Sequence, residues 1–272
     1  MKSEPGARKV LKVLQFTDTH FFADAKHKLL GVDTAESFAD VYKTAKTKHG
    51  IPDFYLFTGD LSQDETEESY KRLASAVSDC GAPCFFLPGN HDRRDEMKRG
   101  LLFESSPFKS ERRLLTENWQ IILLDSLVEG QVAGHLAENE INFLKACLDE
   151  EPKLNALICL HHHPVAMGAR WLDQIGVDNG EQFMAIIEAY PQVKAVLWGH
   201  VHQQYDALHK GILLMATPST CVQFKANSAD FGIDPVPAGY RYLELSADGQ
   251  VESSTNRTEK IACGLELSSA GY

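Results

Sequence analysis

Six short apolar runs punctuate the chain: "VLKVLQF" from Val10, "FYLF" from Phe54, "CFFL" from Cys84, "WQIILLD" from Trp119, "ALICL" from Ala156 and "VKAVLW" from Val193. Their length and their β-branched and aromatic content predict strands. Helical periodicity fills several of the gaps. After Gly31, "DTAESFADVYKTAKTKHG" offers Asp33 as an N-cap with Glu36 three residues on, and sets Phe38, Val41, Tyr42 and Ala45 on one face. "ETEESYKRLASAVSDCG" repeats the theme with Tyr70, Leu73, Ala74 and Val77, closing at Gly81. "ENEINFLKACLDE" and "GEQFMAIIEAY" read as further helices. Strand and helix alternate, so the expected class is α/β, with sheets covered by helices. Near the end the pattern changes to two hairpins, turning at Lys210-Gly211 and Asp248-Gly249, with "QFKANSADFGIDPVPAG" between them as a loop. No repeat or linker divides the chain. A single domain over residues 1–272 is expected, with a loose leader through Ala7 and a loose tail after Asn256.

The 272 residues are 43% hydrophobic and 24% charged, which suits a globular core. The formal charge of -11 repels polyanions, so neither nucleic acid nor an anionic membrane is expected as a partner. An anionic substrate would need a local positive centre. The amino terminus lacks an apolar signal segment and no run is long enough to span a bilayer, so a cytoplasmic location is expected. The six cysteines form no C-x-x-C pair and read as reduced core thiols.

The chemistry lies where the apolar runs end. "VLKVLQF" runs into Thr17-Asp18-Thr19-His20, "FYLF" into Thr58-Gly59-Asp60, and "CFFLPG" into Asn90-His91-Asp92. "ALICL" runs into His161-His162-His163-Pro164, and "VKAVLW" into Gly199-His200-Val201-His202. Ligands of open α/β sheets bind at the carboxyl ends of strands, so these five ends are expected to converge on one crevice. Asp18 and His20 are two apart, as are His200 and His202, and in extended chain such pairs project from one face. Taken singly each motif reads as loop chemistry, Gly59-Asp60 as a turn and Asn90-His91-Asp92 as a helix cap. Taken together, carboxylates, imidazoles and a carboxamide without a thiolate suit manganese, iron or zinc. Seven candidates exceed the needs of one ion with open positions, so two ions sharing a carboxylate are expected.

At these residues the sequence resembles the calcineurin-like metallophosphoesterases, with their D-x-H, G-D, G-N-H-D, H-x-P and G-H-x-H blocks in order from Asp18 to His202. "HHHPVAMG", "WLDQIG" and "ATPSTCVQFK" further resemble the bacterial class III 3',5'-cyclic-AMP phosphodiesterases. The resemblance implies a four-layer α/β/β/α sandwich with a metal pair at the strand ends. It implies Asp18, His20, Asp60 and His202 around one ion, and Asp60, Asn90, His162 and His200 around the other, with Asp60 bridging. The ions would be iron or manganese, with zinc, cobalt or magnesium as alternatives. His161 would point into the sheet and His163 towards substrate. The implied reaction is hydrolysis of cyclic AMP to 5'-AMP, with a water activated between the ions and His91 as general acid. Asn90 and Asp92 complete the catalytic set, and either Asp64 or Asp92 would orient His91, Gln63 standing where some relatives have Asp. Substrate contacts would come from His20, Asp60, Asn90, His91, His163 and His202, and Trp171 and Ser219 would read the base. Phe21, Phe22, Thr217 and Thr220 also lie near these motifs. Other phosphodiesters or phosphoproteins are alternative substrates, a noncatalytic scaffold is a remote alternative, and the chain is expected as a monomer or homodimer.

Overall fold

The six apolar runs fold as strands, and they divide between two sheets. The structure is a computed structural model that describes residues 10–268 and Gly271. The leader expected through Ala7 lies outside the described residues. The first half runs β1 (Leu11–Phe16), α1 (Thr34–His49), β2 (Phe54–Thr58), α2 (Glu67–Ala76), β3 (Cys84–Leu87), α3 (Arg94–Leu101) and β4 (Phe108–Lys109). The second runs β5 (Arg113–Leu115), β6 (Trp119–Leu123), α4 (Glu138–Glu150), β7 (Asn155–Cys159), α5 (Gly180–Ile187), β8 (Val193–Trp198), β9 (Tyr205–His209) and β10 (Ile212–Ala216). The chain closes with β11 (Gln223–Phe224), β12 (Ile233–Asp234), β13 (Gly239–Leu245) and β14 (Val251–Arg257).

One sheet has the order β14-β13-β1-β2-β3-β4 and the other β5-β6-β7-β8-β10-β9. Within them β1, β2 and β3 are parallel, as are β6, β7, β8 and β10. The sheets face each other across a core that includes Val13, Leu56, Phe85 and Leu243 from one and Trp119, Leu157, Leu197 and Met215 from the other. The outer face of the first sheet packs Phe16, Tyr55 and Phe57 against Phe38, Val41 and Leu73 of α1 and α2. That of the second packs Ile122, Ile158 and Val196 against Leu144 and Phe183 of α4 and α5. Helix, sheet, sheet and helix therefore stack as four layers, and the central strands β2, β3 and β6 are buried along their whole length because both faces are covered. A buried guanidinium ties the sheets together: Arg241 of β13 donates to the Ala216 carbonyl at 2.7 Å and to Asp206 Oδ1 at 2.7 Å.

Local chemistry sets the element ends. Asp33 Oδ1 accepts from Ala35 N and Glu36 N at 3.1 Å each, capping α1. The β9–β10 turn takes positive φ at both Lys210 (49°) and Gly211 (86°), as the twist of a two-residue hairpin requires. Three expectations differ from what is found. The segment read as a loop contains the β11–β12 pair, Gln223 opposite Asp234 and Phe224 opposite Ile233. The α2 helix stops at Ala76, short of Gly81. The tail is docked, not loose, through residue 268: Glu266 N donates to the Leu30 carbonyl at 2.9 Å, and Ala262 and Leu265 pack near Leu29 and Val222. Apolar side chains spaced through a polar tail gave it a surface to bury.

Candidate metal centre

Parallel strands bring their carboxyl ends to one edge. From the first sheet, β1 delivers Asp18 and His20, β2 delivers Asp60, and β3 delivers Asn90 and His91. From the second, β7 delivers His161 and β8 delivers His200 and His202. The expectation that the D-x-H and H-x-H pairs lie in extended chain is not met. Asp18 (φ 54°), His20 (46°), Asp60 (52°), His200 (66°) and His202 (47°) all adopt left-handed backbone. Such conformations are strained by about 1–3 kcal/mol each and persist where the surroundings enforce them. Here the enforcing contacts are explicit. Asp18 N donates to the Gly59 carbonyl at 3.0 Å, His20 N to the Asp60 carbonyl at 2.9 Å, and His200 N to both Asp18 oxygens at 3.1 Å. Close approach also demands glycine: a Cβ on Gly89 would stand 2.2 Å from Asp60 Oδ1, and one on Gly59 2.4 Å from His161 Nδ1.

The ring nitrogens reveal what the site is built to hold. His20 Nδ1 faces Gln63 Oε1 at 2.6 Å, His161 Nδ1 the Thr58 carbonyl at 2.8 Å, and His202 Nδ1 the Val222 carbonyl at 2.8 Å. Each Nδ1 must donate to its oxygen, so in the neutral ring each Nε2 is a lone pair. Those lone pairs point at one another and at oxygens. His20 Nε2 lies 3.3 Å from His202 Nε2, His202 Nε2 3.2 Å from Asp18 Oδ1, and His161 Nε2 3.3 Å from Asp60 Oδ2 and 3.2 Å from Asn90 Oδ1. Acceptors facing acceptors in a buried space require a cation between them. Moreover, His200 Nε2 is buried with no hydrogen-bond partner among the described residues. Three sets of donors come within 4.8 Å: Asp18 with His20 and His202; Asp18 with Asp60 and His161; and His161 with His162 and His200. The donors are all nitrogen or oxygen, so the residues present fit divalent metal.

Burial sets the electrostatics. It depresses His20 to about 3 and holds His162 and His200 well below the usual imidazole range. For His161 burial works downward too, but the Asp60 charge prevails and raises it to about 9. A proton and a metal thus compete for the same nitrogen. Burial alone would raise Asp60; its imidazole neighbours, His161 first, outweigh this and hold it well below the carboxylate range.

Several residues stand elsewhere than expected. His161 does not point away into the sheet; its Nε2 faces Asp60 and Asn90. His162 lies close to His161 and His200, but Ser126 Oγ at 2.8 Å and the Val132 carbonyl at 3.1 Å already engage both its nitrogens. Asp92 accepts from Leu61 N, Ser62 N, Gly89 N and the Tyr70 hydroxyl, and so braces the loops carrying Asp60 and Asn90. Asp64 accepts from Ala23 N and Thr66 Oγ1. It is Gln63 whose Nε2 lies 3.4 Å from His91 Nδ1. Ser219 is buried and donates to the Asp18 carbonyl at 2.8 Å, so it supports the metal loop instead of reading a base. His163 is buried with its ring 5.6 Å from that of His200. Trp171 does reach the open space. A cavity of about 510 Å³ is lined by Asp60, Asn90, His91 and His200 and also by Trp171, Ile175, Phe224 and Phe231. Gln63 stands at the place where the resemblance put an orienting carboxylate and Phe224 within the quoted block from Ala216, but neither was given a role from the sequence, and Ser126 carried no signal. His161 stood in a row of three imidazoles that spacing cannot separate.

Comparison with known proteins agrees with this geometry. A protein of Vibrio vulnificus named 3',5'-cyclic adenosine monophosphate phosphodiesterase CpdA is 42% identical over 96% of this chain and 95% of its own length. One of the same name from Escherichia coli K12 is 38% identical over 96% of this chain and 95% of its own length. Among solved structures, a dimetal phosphatase from Danio rerio shares the fold at 14% identity, with a TM-score of 0.58 over 92% of this chain and 99% of that one. The family description "Calcineurin-like phosphoesterase" matches residues 11–204, a span that takes in every donor from Asp18 to His202. The chain belongs to the calcineurin-like phosphoesterases.

Proposed function

We propose that this chain hydrolyses 3',5'-cyclic AMP to 5'-AMP in the cytoplasm, using two divalent ions. The observation that carries the reading is the cavity in which Asp60, Asn90, His91 and His200 share one space with Trp171, Phe224 and Phe231. Such a space suits a ligand with an anionic centre and a flat apolar ring. The printed names of relatives similar along nearly the whole chain support the same substrate.

Asp18, His20, Asp60 and His202 would hold one ion, and Asp60, Asn90, His161 and His200 the other. His161 replaces the His162 expected from the H-x-P spacing, because its Nε2 faces Asp60 and Asn90. Manganese or iron suits this nitrogen and oxygen set. When bound, the pair supplies Lewis acidity towards the phosphoryl oxygens and lowers the pKa of a water. His91 is half-buried on the cavity wall, its backbone N donating to Asp60 Oδ1 at 2.8 Å. The Gln63 side chain beside Nδ1 holds the His91 ring on the cavity wall. The His91 imidazolium would give its proton to the 3' oxygen as the water oxygen bonds to phosphorus and the P–O3' bond breaks, and the neutral ring left behind would take up the proton that the attacking water gives up. Trp171 and Phe231 would pack against the adenine.

The reading is tested by incubating the manganese- or iron-loaded protein with a panel of cyclic nucleotides. 5'-AMP without 3'-AMP supports it; turnover confined to 2',3'-cyclic nucleotides or to monoesters overturns it.

A further inference from the structure

The β11–β12 hairpin does more than wall the cavity. Phe224 lies flat on the His202 imidazole, ring centroids 4.0 Å apart and planes 5° from parallel. Its backbone N donates to the His202 carbonyl at 3.3 Å, and Val222, two residues earlier, accepts from His202 Nδ1 at 2.8 Å. The hairpin itself is pinned, with Lys225 N donating to the Gly232 carbonyl at 2.7 Å and Gln223 Nε2 donating to the Ser219 carbonyl at 2.8 Å. Ser219 Oγ in turn donates to the Asp18 carbonyl. One short segment therefore grips both Asp18 and His202, from two sheets. The same Phe224 ring meets Trp171 edge-on at 5.3 Å and Phe231 at 5.3 Å, and all three line the cavity.

We infer that Phe224 is a positioning residue joining the two parts of the site: it fixes the His202 ring for the cation, and a flat ring in the cavity tightens that hold. A face-to-face aromatic neighbour blocks rotation of the imidazole about its outer bond, while the Val222 carbonyl sets which nitrogen carries the proton. A hydrogen-bonded partner behind a metal-binding histidine, here the Val222 carbonyl, is worth about 10- to 100-fold in metal affinity or activity, and the stacked ring holds the imidazole in the orientation that bond needs. Ligand packing against Trp171 and Phe231 restricts Phe224 further, so base and metal binding reinforce each other, and linkage makes the effect reciprocal. The metal half stands on geometry alone. The nucleoside half rests on the proposed function.

The test titrates metal-free protein with manganese against a chromogenic chelator, with and without adenosine, which has the base and no phosphate. In the parent protein adenosine tightens manganese binding. Phe224→Leu weakens manganese at least about 10-fold and abolishes the adenosine effect; Phe224→Tyr, which keeps the stacked ring, retains both. Phe231→Leu leaves manganese affinity alone and weakens only the adenosine effect. Should Phe224→Leu lose its circular dichroism, Phe224→Met fills the space without a ring and takes its place. Manganese affinity equal to the parent in Phe224→Leu or Phe224→Met overturns the positioning role. A parent protein indifferent to adenosine overturns the nucleoside half, while a manganese deficit in Phe224→Leu still supports the metal half.

Discussion

Gln63 Oε1 accepts from His20 Nδ1 at 2.6 Å, and the same amide turns its Nε2 to His91 Nδ1 at 3.4 Å. A single neutral side chain thereby orients a metal donor and the proposed general acid. Gln63→Ala is expected to lower kcat on cyclic AMP by about 10- to 100-fold and to weaken metal binding as well. Steady-state rates and metal content measured together check this, and parent values of both would remove Gln63 from the mechanism.

The hydrogen bond from His91 to Asp60 Oδ1 comes from its backbone, so truncating the side chain keeps that contact. His91→Ala should keep its metal and lose about 100- to 10,000-fold in turnover. Loss of metal from this variant would contradict the role given to it.

The choice between adjacent imidazoles is open to direct trial. His161→Ala is expected to lose bound metal, and His162→Ala to retain it while losing stability, since Ser126 and the Val132 carbonyl are left without their partner. Metal analysis of the two purified variants decides, and the reverse result would restore His162 as ligand.

For the metal-free protein the shifts fix a pH dependence. Burial depresses His20, His162, His163 and His200 from 6.5 in the fold, so the unfolded chain takes up protons that the folded one refuses once pH falls below about 6.5. Stability is lost on the acid side, by up to about 1.4 kcal/mol per pH unit for each ring. Asp92, raised to about 7 by burial and then by the Asp60 charge, offsets one of these four. Asp60, held well below the carboxylate range, yields its stability only at lower pH still. His161 acts oppositely: raised to about 9, its contribution is full below 6.5 and fades as pH rises through 9. Urea midpoints after chelation should therefore peak near pH 6.5 and fall more steeply towards pH 5 than towards pH 8. A midpoint that climbs between pH 6.5 and 5 would refute the assignment.

At the start of α1, Asp33 caps the helix with two hydrogen bonds. Asp33→Ala should cost about 1 kcal/mol, or roughly 2–4 °C in Tm, with activity unchanged at 25 °C. A thermal scan and a rate suffice.

The strands, the cap at Asp33 and the hairpin at Lys210-Gly211 were legible because local signals and burial agree there. The polar residues at five strand ends were legible for the same reason: each breaks an apolar run that nothing local requires to end in histidine. Less visible was whatever depends on the angle at which a loop leaves its strand. Periodicity cannot predict left-handed backbone at Asp18, His20, Asp60, His200 and His202, and spacing alone cannot say which nitrogen of the His161-His162-His163 row faces Asp60. The bracing contacts of Asp92 were hidden too, since its four donors come from segments up to 31 residues away. Phe224 hid in a run of turn formers, since a two-residue strand leaves no period to detect.

The seam between the two sheets has a mechanical meaning. Asp18, Asp60 and Asn90 hang from one sheet and His161, His200 and His202 from the other, so any ion they share is a rivet across the joint that Arg241 also fastens by hydrogen bonds. Stripping the metal withdraws a structural fastener along with a reagent, and the halves should then loosen first along the edge where the phosphate would enter.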